Sequence, residues 1–107
     1  MTEARARRPR RPPTHPGEIW REDIFPELGL TVAGAARDMG VSRQTLHKVL
    51  RRKNPATITP ELALKFARLC GNDELAEVWV RMQAARDLWE AERTTSLKHI
   101  PVRNAAA

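Results

Sequence analysis

The reading of this chain turns on "DMGVSRQTLHKVL", residues 38–50. Gly40 interrupts one helical pattern, and Ser42 opens another two residues later. A reversal this tight needs positive φ, which glycine adopts without steric cost. Thr31 supplies an N-cap for the preceding helix, "VAGAARDM", and Gly40 its stop. Ser42 caps the following helix, which runs from Arg43 to about Arg51. Ala35, Ala36 and Met39 should point inward from the first helix, and Leu46, Val49 and Leu50 from the second. Ala36 is small where the two axes must approach. That spacing predicts a helix-turn-helix.

With the second helix packed through Leu46 and Val49, Arg43, Gln44, Thr45, His47 and Lys48 remain outside. A helix inserted end-first in the major groove presents such positions to base edges. Arg can hold guanine O6 and N7, Gln can hold adenine N6 and N7, and the Thr methyl can meet thymine. Arg43, Gln44, Thr45 and Lys48 are therefore the candidate base contacts. Thr31, Ser42, His47, Arg51, Arg52 and Lys53 fall where phosphates would run. Hydroxyls and backbone N–H groups at the two helix starts can donate to phosphate oxygens.

Charge follows the same geography. The formal net charge is +6, and residues 31–53 carry +5 of it, six cations less Asp38. Residues 1–14 add +4, five arginines less Glu3. The segment "RARRPRRPPT" has little to bury, so residues 1–14 read as a disordered Arg/Pro-rich arm. The arm reads chiefly as counter-charge, with tracking of a minor groove as the alternative. Order is expected over 15–93, with 94–107 a flexible tail.

Three further helices complete an all-α architecture of five. "HPGEIWREDIF" starts with Pro16 in a first turn, buries Ile19, Trp20, Ile24 and Phe25, and is expected to end at Pro26. Thr59-Pro60-Glu61 reads as cap, first-turn proline and favourable acid for "PELALKFARLC". A longer fifth helix is expected from about Asp73 to Arg93. It carries two apolar stripes, one of Leu75, Val78, Trp79, Met82, Ala85 and Trp89, the other of Ala76, Val80, Ala84, Leu88 and Ala91. A helix apolar on two sides needs two packing surfaces. One stripe is expected to meet its own core and the other a second copy. The candidate dimer interface is drawn from Val78, Trp79, Val80, Met82, Ala84, Leu88 and Trp89.

Catalysis finds little support. His15, His47 and His99 lie in separate segments, and Cys70 has no histidine near it in sequence. There is no HExxH, CxxC or phosphate-cradling glycine loop. No cofactor or metal site is expected, and the chain reads as a non-enzyme. A single cysteine suits a reducing compartment. No apolar run approaches the ~18 residues that cross a membrane. These features together predict a cytoplasmic protein.

The stretch from His15 to Gly71 resembles the HigA-type antitoxins of the lambda-repressor-like (XRE) helix-turn-helix group. "HPGE", "GLT", "GVSRQTLHKVL" and "ITPELAL" stand in order at that family's spacing, and "QAARDLWEAE", Gln83 to Glu92, is similar to its end. The resemblance implies a five-helix domain that dimerises and represses its own operon through a promoter palindrome. It also implies a toxin partner, a HigB-like mRNA endonuclease. A free-standing XRE regulator without a toxin is the alternative, since it would keep the same DNA-binding face. A pure protein–protein adaptor is a third reading.

Overall fold

The computed structural model describes residues 10–104. Most of the arm (1–9) and the end of the tail (105–107) lie outside the described residues. Among the described residues the chain forms five helices and no strand. Helix α1 runs without interruption through Pro16–Ile19, Trp20–Ile24 and Phe25–Leu28, its middle segment wound as a π-helix. Then come α2 (Val32–Met39), α3 (Arg43–Leu50), α4 (Pro60–Leu69) and α5 (Leu75–Thr94).

The local signals act as their chemistry dictates. Thr31, Ser42 and Thr59 each turn a hydroxyl oxygen onto an N–H of the first turn, at 3.0, 3.0 and 3.2 Å. Gly40 ends α2 at φ 69°, and Val41 N–H then donates back to the Ala36 carbonyl at 3.0 Å, closing the bend. One stop differs from expectation. Pro26 does not end α1, which continues to Leu28 and stops at Gly29, φ 63°. In the wide turn just before Pro26, Phe25 N–H donates to the Trp20 carbonyl five residues back, and the proline opens the last segment of the helix.

The core is an aromatic knot. Trp20 of α1, Phe66 of α4 and Trp79 of α5 meet with ring centroids 4.0, 5.1 and 5.4 Å apart, and Phe25 stacks on Phe66 at 5.6 Å. Trp20 Nε1 is buried there without an acceptor, at a cost of about 1–3 kcal/mol. Leu46 and Val49 of α3, Ala35, Ala36 and Met39 of α2, and Ile58 close the core around these rings. Helix α5 packs on α4 and on the start of α1.

The two stripes expected on α5 are redrawn. Its inward side takes Ala76, Trp79 and Val80 from both stripes, together with Gln83. Trp79 is 2% exposed, so it belongs to the protein's own core and has nothing to offer a second copy. Val80 likewise packs against that core. The reason is rotational: at about 100° per residue, Ala76, Trp79, Val80 and Gln83 share one side, which the apolar pattern missed because Gln83 is polar. Val78 and Leu88, half-exposed, and Ala84, exposed, stay outside, while Met82 and Trp89 are partly covered.

Trp79→Ala should therefore lower the free energy of unfolding by about 3–5 kcal/mol. Urea denaturation at two protein concentrations checks this, with the loss expected to be the same at both.

Candidate nucleic-acid interface

Helix α3 is held from behind. Its Leu46, Val49 and Leu50 are buried, whereas Arg43, Gln44, Thr45, His47 and Lys48 are all exposed. At about 100° per residue, Gln44 and Lys48 lie opposite the buried edge, with Arg43 and His47 on one flank and Thr45 on the other. The four expected base-contact residues thus share the exposed side of one short helix.

The hydroxyls at this end are engaged with each other. Ser42 Oγ accepts the Thr45 N–H at 3.0 Å and lies 2.8 Å from Thr45 Oγ1. This pairing stiffens the turn. At the start of α2, Thr31 Oγ1 is similarly occupied by Gly34 N–H. The N-terminal amides of both helices have no intrahelical acceptor, and the helix dipole favours an anion beside them.

The basic run after α3 is partly tied down. Arg51 Nε donates to the Asn54 carbonyl at 2.9 Å, bracing a loop in which Asn54 sits at φ 50°. Arg52 Nη1 lies 3.6 Å from Glu22 Oε1, an exposed pair of small energetic weight. Arg51, Arg52 and Lys53 remain exposed. His47, Lys48 and Arg51 also rim a cleft floored by Phe25, Val32 and Leu50. Every expected phosphate-contact residue is on the surface: His47 and Arg51 line this cleft, Ser42 lines another beside the turn, Arg52 lines a third, and Thr31 and Lys53 are exposed.

Three residues that fix α3 give no local sign of it in the sequence. Gly17 lies so close to α3 that a Cβ there would come within 2.0 Å of the Val49 carbonyl oxygen. Arg21 Nη1 donates to the Leu50 carbonyl at 2.8 Å, so a cation from α1 caps the C-terminal end of α3. His15 joins α1 to the loop after α3. Its Nδ1 accepts Gly17 N–H at 2.9 Å, so the ring proton sits on Nε2, which donates to the Ala56 carbonyl at 3.0 Å. Behind this loop, Gln83 Oε1 accepts Ile58 N–H at 2.9 Å. Pro16 at the first turn could have signalled His15 as a cap; the other contacts arise only when distant helices meet.

Burial pushes the His15 pKa below its usual value. The Ala56 carbonyl opposes that shift, Arg86 adds to it, and Asp87 and Glu90 oppose it.

Among the described residues no cluster of His, Cys, Asp or Glu could hold a metal ion, and no helix is long and apolar enough to cross a membrane. The lone Cys70 is partly covered, and burial raises its thiol pKa.

A short capped turn, a buried back edge and an exposed polar-cationic front define a helix-turn-helix DNA-binding domain of the lambda-repressor-like class. No family model matches the chain. It is 37% identical over 82 residues to virulence-associated protein I of Dichelobacter nodosus, covering 77% of this chain and 72% of that one. It is 32% identical over 84 residues to antitoxin HigA-1 of Vibrio cholerae, covering 78% and 75%. Among solved structures, antitoxin GraA superposes with a TM-score of 0.71 at 32% identity, over 88% of this chain and 98% of that one. Pseudomonas aeruginosa antitoxin HigA, solved with the higBA promoter, gives a TM-score of 0.71 at 25% identity over 84% and 96%. The chain belongs to the HigA-type antitoxins of the XRE helix-turn-helix group, a family of DNA-binding regulators and not of enzymes.

Because its folded pKa is lowered, neutral His15 contributes stability that is complete above the unfolded value of about 6.5 and is lost as pH falls through the folded one. Unfolding free energy measured in urea from pH 8 to pH 5 should fall below about 6.5, and more steeply than in His15→Asn. Parallel pH profiles would remove His15 as the titrating group.

Proposed function

We propose that this chain is the antitoxin of a type II toxin–antitoxin pair. As a homodimer it binds a palindrome in its own promoter and represses the operon. By protein contact it binds and neutralises a HigB-like mRNA endonuclease, in the cytoplasm. The observation that carries the DNA half is the exposed row Arg43, Gln44, Thr45 and Lys48 on a helix clamped at its C-terminal end by Arg21 and Gly17. The solved relative carrying the higBA promoter supports the same partner class.

In this reading α3 of each subunit enters a major groove, the two helices about 34 Å apart along the duplex. Arg43, Gln44 and Lys48 donate to base edges and the Thr45 methyl meets thymine. The amides at the starts of α2 and α3, beside Thr31 and Ser42, meet phosphates on one side. His47, Arg51, Arg52 and Lys53 meet them on the other. The dimer seam is the outer side of α5. Val78, Met82, Ala85 and Trp89 fall within a narrow arc at alternating spacings of four and three, the pattern of a helix–helix seam. Leu88 and Ala84 lie to one side of it. Trp79 and Val80 are left to the core.

Co-purification with the product of the adjacent gene, followed by a gel shift on the operon promoter, tests both halves. A specific shift without a co-purifying toxin would favour the free-standing regulator. No shift even at low salt would favour the adaptor.

Gln44→Ala should weaken binding to the promoter site by about 1–3 kcal/mol and leave random DNA unaffected. Arg51→Ala should weaken both and lower the slope of log K against log salt by about one unit. Salt titrations by fluorescence anisotropy separate the two behaviours.

A further inference from the structure

We propose that the cleft between α1, the start of α2 and the end of α3 binds a small amphipathic carboxylate, which competes with operator DNA; the competition, though not the binding, rests on the DNA-binding reading above. The cleft has a volume of about 440 Å³, within the size range of small-molecule sites. Its floor is apolar and already built. Phe25 and Leu50, each 8% exposed, belong to the core, and Val32 packs against it. Phe25 is stacked on Phe66 at 5.6 Å, and the Leu50 carbonyl is held by Arg21 Nη1 at 2.8 Å. A ligand therefore meets a surface fixed before it arrives, which lowers the ordering cost of binding.

The walls above that floor are cationic. Lys48 and Arg51 line the cleft with His47 and Arg21, and among the described residues no carboxylate does. Glu22, on the same helix as Arg21, is already shared between Arg21 and Arg52, at 3.2 and 3.6 Å. Among the described residues no ion pair engages Lys48 or Arg51. Arg51 Nε is tied instead to the Asn54 carbonyl at 2.9 Å. Charge of one sign beside a low-dielectric floor focuses the field and draws an anion in.

DNA accounts for the cations but not for the floor. A phosphate needs donors and gains nothing from Phe25, Val32 and Leu50, whereas a carboxylate on a hydrocarbon body uses both. The chain's own C-terminal segment does not match, since residues 97–104 carry Lys98 and Arg103 and no acid. An occupant here engages Lys48 and Arg51, two of the residues assigned to DNA, so ligand and operator exclude one another.

Octanoate is the probe, with acetate as the anion without a body and octanol as the body without a charge. Titrated into the isotope-labelled full chain, octanoate should shift the amide resonances around Phe25, Val32, Leu50 and Arg51 with a Kd on the order of 0.1–1 mM. Acetate and octanol should each bind at least about tenfold more weakly. At about ten times its Kd, octanoate should weaken operator binding about tenfold in fluorescence anisotropy, with acetate at equal concentration as the ionic-strength reference. Val32→Phe, which fills the cleft from its apolar side, should lose the octanoate response and still bind the operator. Acetate or octanol binding as tightly as octanoate, shifts centred elsewhere, or operator binding no weaker than in acetate overturns the proposal. Shifts of these amides by a co-purified toxin but not by octanoate would make the cleft a protein-docking site and overturn it too. Should the chain bind no operator, the DNA-binding reading falls and the competition with it, while the amide shifts still decide the binding site.

Discussion

Where Gly17 passes the Val49 carbonyl there is no space for a Cβ, and that close approach sets the angle between α1 and α3. Once the backbones are this near, Arg21 reaches the Leu50 carbonyl and His15 reaches Ala56. Each contact holds the C-terminal end of α3 or the loop beyond it, leaving the N-terminal end to project. A side chain at position 17 would separate the helices and release both contacts. The aromatic knot of Trp20, Phe66 and Trp79 supplies the burial that presses α1 into place, but the glycine decides how close it comes.

The turn itself divides polar groups into two kinds. Ser42 and Thr45 bond to one another and to the backbone, which makes the start of α3 rigid. Arg43, Gln44 and Lys48 extend past them as long donors on a fixed base. The proposed reading of base edges needs both properties, because a mobile donor loses rotamer entropy on binding that a rigid platform has already reduced. The basic residues after α3 are likewise anchored in part, Arg51 through the Asn54 carbonyl.

Helix α5 serves both the core and the loop beyond α3. Ala76, Trp79 and Val80 close the core, with Met82 packed partly buried at its edge; Gln83 and Arg86 hold the loop after α3 and the Pro13 carbonyl; Val78 and Ala85 are exposed. Its early inward residues are apolar and its later ones polar, because the helix outruns the core and continues beside Pro13 and His15. A single stripe rule applied along its whole length mixes these roles, which is why it puts Trp79 among the interface candidates while the structure buries it in the core.

The sequence by itself determined the elements whose causes are local. Thr31, Ser42 and Thr59 act as caps through their own first turns, Gly40 turns the chain through its own φ, and the spacing of Leu46 and Val49 dictates which side of α3 is left for Arg43, Gln44 and Lys48. These were legible because each depends on neighbours a few residues away. The tertiary structure decided what depends on distant partners. Trp79 turns inward because Trp20 and Phe66 await it, and Arg86 finds Pro13 across 73 residues of sequence. No local pattern encodes such meetings, since their energy exists only after the helices have packed.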